Sequence, residues 1–200
     1  MRRATWNVNN GDFMAKLFRL VEQFHPDVAV ITEASKPTST LPNVRWMKDS
    51  ETRGIAVYVA PKFSITPLFA GKPLHRCVHG YRISGRISFS LLAWWSHDLT
   101  GKEDYRQCWI DGIEKYEPCL EGTDVVIAGD LNDNAKWDHQ YPEPSFNKVF
   151  DTYLHKHQAV SVYHRFYDGE EYGNETRHSL FLQKNITKPH HIDYILVPES

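Results

Sequence analysis

Short apolar runs that stop on an amide or a carboxylate recur along this chain. Thr5-Trp6-Asn7-Val8-Asn9 ends on Asn7 and Asn9, and Val28-Ala29-Val30-Ile31-Thr32 ends on Glu33. Val125-Val126-Ile127-Ala128-Gly129 ends on Asp130 and Asn132, and Asp193 lies inside His191-Ile192-Asp193-Tyr194-Ile195-Leu196-Val197. Runs of this length, rich in β-branched residues, predict buried strands. Residues 3 to 9, 28 to 33, 53 to 60, 124 to 129 and 191 to 197 are read as strands, with two more over 81 to 95 around a turn near Ser84-Gly85.

Helical spacing separates these runs. Met14, Leu17, Phe18, Val21 and Phe24 follow a period of 3.6 from Phe13, with Asn10-Gly11-Asp12 as turn and N-cap and Pro26 as the stop. Thr100-Gly101-Lys102-Glu103 has capping-box spacing ahead of Tyr105, Trp109, Ile113 and Tyr116; Gly112 weakens this second helix and Pro118 ends it. Ser145 caps a third helix carrying Phe146, Val149, Phe150 and Tyr153. Residues 35 to 42, 134 to 144 and 168 to 177 read as loops. Strands follow strands as well as helices, so two sheets packed face to face with helices outside fit better than one doubly wound sheet.

Two hundred residues, 41% hydrophobic and 24% charged, suit a single globular domain spanning 1–200. The net charge of −2 gives no overall attraction to nucleic acid or to an anionic membrane, although a local basic patch is compatible with it. Cys77, Cys108 and Cys119 are odd in number and lack Cys-x-x-Cys spacing, so neither a disulfide framework nor a zinc knuckle is indicated. Reduced thiols fit a cytoplasmic protein. Met1-Arg2-Arg3 is followed by no apolar h-region, and the apolar stretch Ile87 to Trp95 is too short to span a bilayer.

Each polar marker also has a plain structural reading. Asn7, Asn9 and Asn132 are turn formers, Glu33 can be a solvated strand end, and Asp193 can form a buried ion pair. Jointly they point elsewhere. Oxygen-bearing side chains at the ends of four strands, with no competing compact Cys or His cluster, suit a hard cation such as Mg²⁺, with Mn²⁺ as the alternative. A metal-assisted hydrolase of phosphate esters follows as the first expectation.

Thr5-Trp6-Asn7-Val8-Asn9, Ile31-Thr32-Glu33, Ala128-Gly129-Asp130-Leu131-Asn132 and His191-Ile192-Asp193-Tyr194-Ile195 resemble, in this order, the motifs of the endonuclease/exonuclease/phosphatase superfamily. The resemblance implies a four-layer α-β-β-α sandwich of two mixed sheets with the site at one end. It implies that Glu33 binds the metal, that Asn7 holds the metal or its water shell, and that Asn9 lies in the same pocket. Asp130 would orient or deprotonate the attacking water, and Asn132 would position that water or the phosphate. His97, after Leu91-Leu92-Ala93-Trp94-Trp95, stands where relatives carry a phosphate-contacting residue. Asp193 resembles the Asp that orients the family's catalytic His.

The chain departs from the family at one point. The Ser-Asp-His motif expected on a further strand is absent, because no Asp or His lies beyond Asp193 before Ser200. The expectation is a C-terminally truncated piece lacking its last strand or strands, or a degenerate member. The functional expectation is a nuclease cleaving phosphodiesters in DNA or RNA by in-line attack of water. The alternatives are a phosphatase or non-nucleic phosphodiesterase, towards which the near-neutral charge leans, and an inactive binding module. Lesser features are His155 and His157, read as surface histidines, and His75 and His79, read as loop residues. Trp137 and Tyr141 are read as stacking residues or loop anchors, and Lys36, Arg45, Lys48 and Arg53 as phosphate contacts or solvated charges.

Overall fold

Alternation along the strands builds three separate apolar layers. The computed structural model describes residues 1–50, 52–69, 71, 73–97, 104–120, 122, 124–140 and 143–199. One sheet contains β1 (Arg3–Asn7), β2 (Val28–Ser35), β3 (Val44–Lys48) and β4 (Arg53–Val59) in the order β1-β2-β4-β3, with β1 parallel to β2 and the rest antiparallel. The other contains β5 (Ser64–Pro67), β6 (Val78–Ser84), β7 (Phe89–Trp95), β8 (Val125–Asp130), β9 (Ala159–Ser161) and, after a small ribbon of β10 (Leu180–Phe181) and β11 (Pro189–His190), β12 (Asp193–Pro198). Its order is β5-β6-β7-β8-β12-β9, and β7 with β8 is its parallel pair.

Val30, Val57, Leu91, Ala93 and Ala128 fill the space between the sheets. The alternate residues face outward. Ala29, Ile31 and Ala56 pack under α1 (Phe13–Phe24), while Leu92, Trp94 and Ile127 pack under α2 (Tyr105–Tyr116) and α3 (Phe146–Lys156). The result is the expected four-layer α-β-β-α sandwich of two mixed sheets. No helix among the described residues is long and apolar enough to cross a membrane.

Local signals account for most boundaries. Asp12 Oδ1 accepts from the Ala15 N–H at 3.1 Å to start α1, and His25, left-handed at φ 45°, ends it before Pro26. The buried face of α1 is Phe13, Leu17 and Leu20; Phe18 and Phe24, counted in the helical stripe, are exposed. Asp104 caps α2 through the Arg106 and Gln107 N–H groups, and the expected capping box at 100 to 103 lies outside the described residues. Ser145 caps α3 as expected. The short strands β3, β5 and β9, the five-residue α4 (Val162–Phe166) and the β10–β11 ribbon were not anticipated.

Two glycines permit close approaches that hold the second sheet and its helices. A Cβ at Gly112 would lie 2.5 Å from the ring of Trp94, so the residue that weakens α2 also lets it pack. Gly129, at φ 148°, lies beside Trp94 in register, and a Cβ there would lie 1.9 Å from the Trp94 carbonyl oxygen. Gly129→Ala should therefore cost about 3 kcal/mol or more of unfolding free energy, read as a lower urea midpoint at unchanged slope. A midpoint within error of the parent would show that β8 has room to move.

Candidate active site

The inner faces of both sheets end in polar side chains at the same edge of the sandwich. In β8, Val126 and Ala128 face the opposite sheet, and Asp130 is the next residue on that face; its antiparallel partner on β12 is Asp193. β1 lies against β8 and β12 and ends at Asn7. Asn7 Nδ2 donates to Glu33 Oε1 at 3.0 Å and to Asp130 Oδ2 at 2.8 Å, so one carboxamide joins carboxylates from different sheets. Asn7 Oδ1 accepts the Asn9 N–H at 2.8 Å, which fixes which end of the amide meets the acids.

Glu33 sits in a β-bulge. The β2–β4 register shifts between Ile31 and Ala34, and Glu33 has φ 53°. Its other oxygen, Oε2, accepts from Arg53 Nη1 at 2.7 Å. Asp130 is fully buried, and its Oδ1 accepts the Asn132 N–H at 2.9 Å. Burial, and then the Asp193 charge, raise its pKa well above the usual carboxylate range, against the opposing pull of the Asn7 and Asn132 hydrogen bonds. Burial likewise raises Asp193 to about 6, opposed by Ser179. Asp193 Oδ1 is buried and has no hydrogen-bond partner among the described residues.

A second limb of the site joins through Asn132, whose Nδ2 donates to the Ser96 carbonyl at 2.6 Å. The next residue, His97, is 8% exposed; its Nδ1 meets the Trp95 carbonyl at 3.0 Å and its Nε2 lies 2.7 Å from Asp49 Oδ2. Burial disfavours the imidazolium, but the hydrogen bonds to Asp49 and Trp95 and the Asp49 charge together raise its pKa. His79, near the same pair, is pushed down to about 4 by burial, and the His97 charge adds to the effect against the pull of Asp49. The edge thus holds one imidazole that favours its charged form and one that stays neutral.

The structure brings Asn7, Glu33, Asp130, Asp193, Asn132 and His97 to one edge. It alters the picture for both asparagines expected at the metal. Asn7 presents its amide hydrogens to the acids while its oxygen faces Asn9, and an N–H donor cannot ligate a cation. Asn9 is exposed at φ 46° and reaches the site through its backbone N–H. Sequence reasoning missed Asp49, which follows the unanticipated β3, and Ser179, whose Oγ accepts the Ile192 and Asp193 N–H groups. Arg53, read as a phosphate contact or a solvated charge, pairs with Glu33. Trp137 packs against His190, their rings 4.6 Å apart and tilted by 34°, whereas Tyr141 lies outside the described residues.

Glu33, Asp130 and Asp193 offer the oxygen chemistry that a hard divalent cation takes, although their ligand atoms are not gathered within 4.8 Å of one another. Of the three carboxylates, Glu33 alone is ion-paired among the described residues. The Glu33 side chain is 18% exposed, open enough for an ion that keeps most of its water.

Comparison with solved structures agrees with this fold. A 3′ phosphatase, NExo from Neisseria, bound to product DNA hairpin, superposes with a TM-score of 0.69 at 16% identity, covering 99% of this chain and 86% of its own. The endonuclease domain of TRAS1, a telomere-specific non-LTR retrotransposon, gives 0.66 at 14% identity, covering 99% and 84%. The AP endonuclease LMAP from Leishmania major gives 0.64 at 13%, covering 98% and 78%. Identities this low establish the fold. A search among curated protein sequences gives no match. The model of the Endonuclease/Exonuclease/phosphatase family matches residues 4–200, and the chain belongs to that family.

Proposed function

We propose that the chain is a Mg²⁺-dependent phosphoesterase that cleaves phosphodiester bonds in nucleic acid. The observation that carries this reading is the Asn7 carboxamide joining Glu33 to Asp130 where the two sheets end. Glu33 would hold the cation, with Mn²⁺ able to replace Mg²⁺. When bound, the ion would supply a Lewis acid for a phosphoryl oxygen and for the departing oxyanion. Asp130 would orient a water and take its proton, a role suited to a carboxylate made more basic by burial. Asn7 would hold both acids in place, and Asn132 would fix the spacing between the Asp130 edge and the loop carrying His97. His97, whose Nδ1 meets the Trp95 carbonyl and whose Nε2 meets Asp49, has neither ring nitrogen left to donate and would act on a phosphate through its charge alone. Asp193, paired in register with Asp130 and with an oxygen that is unpartnered among the described residues, would keep the acid pair basic.

Nucleic acid is favoured over a small ester by the basic residues around this edge. Arg53 touches Glu33, Lys36 follows β2 and Lys48 ends β3 opposite Gly54 at the same end of the sheet, whereas Arg45 lies further along β3. Two of the structural relatives are described by their names as endonucleases and a third was determined with a DNA product, which supports the same choice.

Three assays test the proposal: nicking of plasmid DNA, cleavage of single-stranded RNA, and hydrolysis of a generic phosphodiester, each with Mg²⁺ and with chelator. Turnover should require the metal. Glu33→Gln should lower kcat by about 10²-fold or more with an unfolding midpoint close to the parent's. Full activity in that variant would remove Glu33 from the metal role, and nucleic-acid binding without turnover under every condition would leave the binding-module reading standing.

The His97–Asp49 pair sets a pH dependence of its own. A histidine whose folded pKa is raised contributes stability that is fully present below its unfolded value near 6.5 and is lost as pH rises through the folded value. Asp49→Asn should therefore destabilise the fold most below about pH 6.5 and progressively less as pH rises, and it should lower the His97 pKa seen by NMR titration. An unchanged His97 titration would separate the two residues.

A further inference from the structure

Cys77 and Cys108 lie 31 residues apart in sequence, yet their sulfurs are 2.6 Å apart. Both are buried, at 0% and 6% exposure. Cys77 immediately precedes β6, and Cys108 is near the start of α2. Arg76 Nη2 lies 3.6 Å from Cys108 Sγ, and the Cys77 N–H donates to His75 Nδ1 at 3.4 Å. His75, Cys77 and Cys108 form the one group of three His, Cys, Asp or Glu ligand atoms gathered within 4.8 Å among the described residues.

Two chemistries use such a cluster, and distance chooses between them. Two thiolates on one tetrahedral Zn²⁺, each about 2.3 Å from the ion, stand about 3.8 Å apart. Sulfurs in a disulfide stand about 2.05 Å apart. The observed separation is well inside ordinary non-bonded contact of about 3.5–4.0 Å. It would have to open by about 1.2 Å for zinc and close by about 0.5 Å for a covalent bond.

We infer that Cys77 and Cys108 are a dithiol that oxidises to an intramolecular disulfide. The oxidant is a low-molecular-weight disulfide such as oxidised glutathione. One cysteine thiolate attacks it, forming a mixed disulfide and releasing one small thiol. The second cysteine then displaces the other small thiol, closing the Cys77–Cys108 bond. The two protein thiols lose two electrons and two protons, and the oxidant leaves as two thiols. Burial makes the first attack depend on local opening and shields the finished bond from reductant.

The bond would join the supports of both loops at the candidate site. Arg76, next to Cys77, donates to the His97 carbonyl at 3.5 Å. Arg106, two residues before Cys108, binds both oxygens of Asp133, which follows Asn132. Oxidation would fix the segment behind His97 to the helix behind Asn132.

The test uses the full chain carrying Cys119→Ser, which leaves only this pair, incubated with oxidised glutathione. The expected result is loss of both titratable thiols, a Cys77–Cys108 linked peptide on mapping, and a rise of about 10 °C in Tm that dithiothreitol reverses. Adding Cys108→Ser should abolish the linked peptide and the rise; should that variant fail to fold, peptide mapping of the unsubstituted chain decides alone. Two thiols still titratable after prolonged incubation, or glutathione adducts without a linked peptide, would overturn the inference. So would stoichiometric Zn²⁺ binding by the reduced chain that persists under the same oxidant.

Discussion

Everything at the candidate site depends on two sheets being forced face to face by the residues between them. Val30, Val57, Leu91 and Ala128 can leave water only if the sheets close. Closure also carries the last inner-face residues of the strands together, and these are Asn7, Asp130 and Asp193. Carboxylates repel when gathered in a poorly solvated place, so the apolar layer acts against electrostatics at this edge. Asn7 lowers that cost without cancelling it. Its amide gives one hydrogen bond to each acid and adds no charge, so the negative potential survives. A lysine there would neutralise the edge and occupy the place of a cation.

Glu33 needed a different device. Alternation along β2 would put it on the outward face with Ala29 and Ile31, under α1. The extra residue in the bulge hands that outward place to Ala34, which is fully buried there, and releases Glu33 towards Asn7. Left-handed backbone at a glutamate is an unfavourable conformation held by its surroundings. The Asn10 N–H bonds to the Glu33 carbonyl at 3.2 Å, and Lys16 Nζ ties the neighbouring Val8 and Asn10 carbonyls.

These devices explain what the sequence could and could not show. Long apolar runs revealed β2, β4, β7 and β8 because burial on both faces leaves few polar residues to blur them. β3 carries Arg45 and Lys48 among its five residues, so it has no such signature, and Asp49 was lost with it. A bulge has no letter of its own. Strand-end acids could be recognised as a set, but not that Asn7 would turn its hydrogens to them. That orientation comes from a backbone N–H two residues on. Cys77 and Cys108 carried no spacing signal because tertiary packing alone unites them.

Connectivity is the last consequence of the geometry. Arg53, Glu33, Asn7, Asp130, Asn132 and the Ser96 carbonyl form an unbroken chain of hydrogen bonds, and His97 with Asp49 follows Ser96 along the backbone. The chain crosses from one sheet to the other and returns through Asp49, beyond β3. Donors held by such a network are oriented before a ligand arrives, so little reorganisation accompanies charge development in a reaction. It also means that no member acts alone. Removing Asn7 releases two carboxylates at once, and removing Asn132 uncouples the loop bearing His97 from Asp130. Losses in this set should combine non-additively, as expected of residues that share partners rather than merely share a neighbourhood.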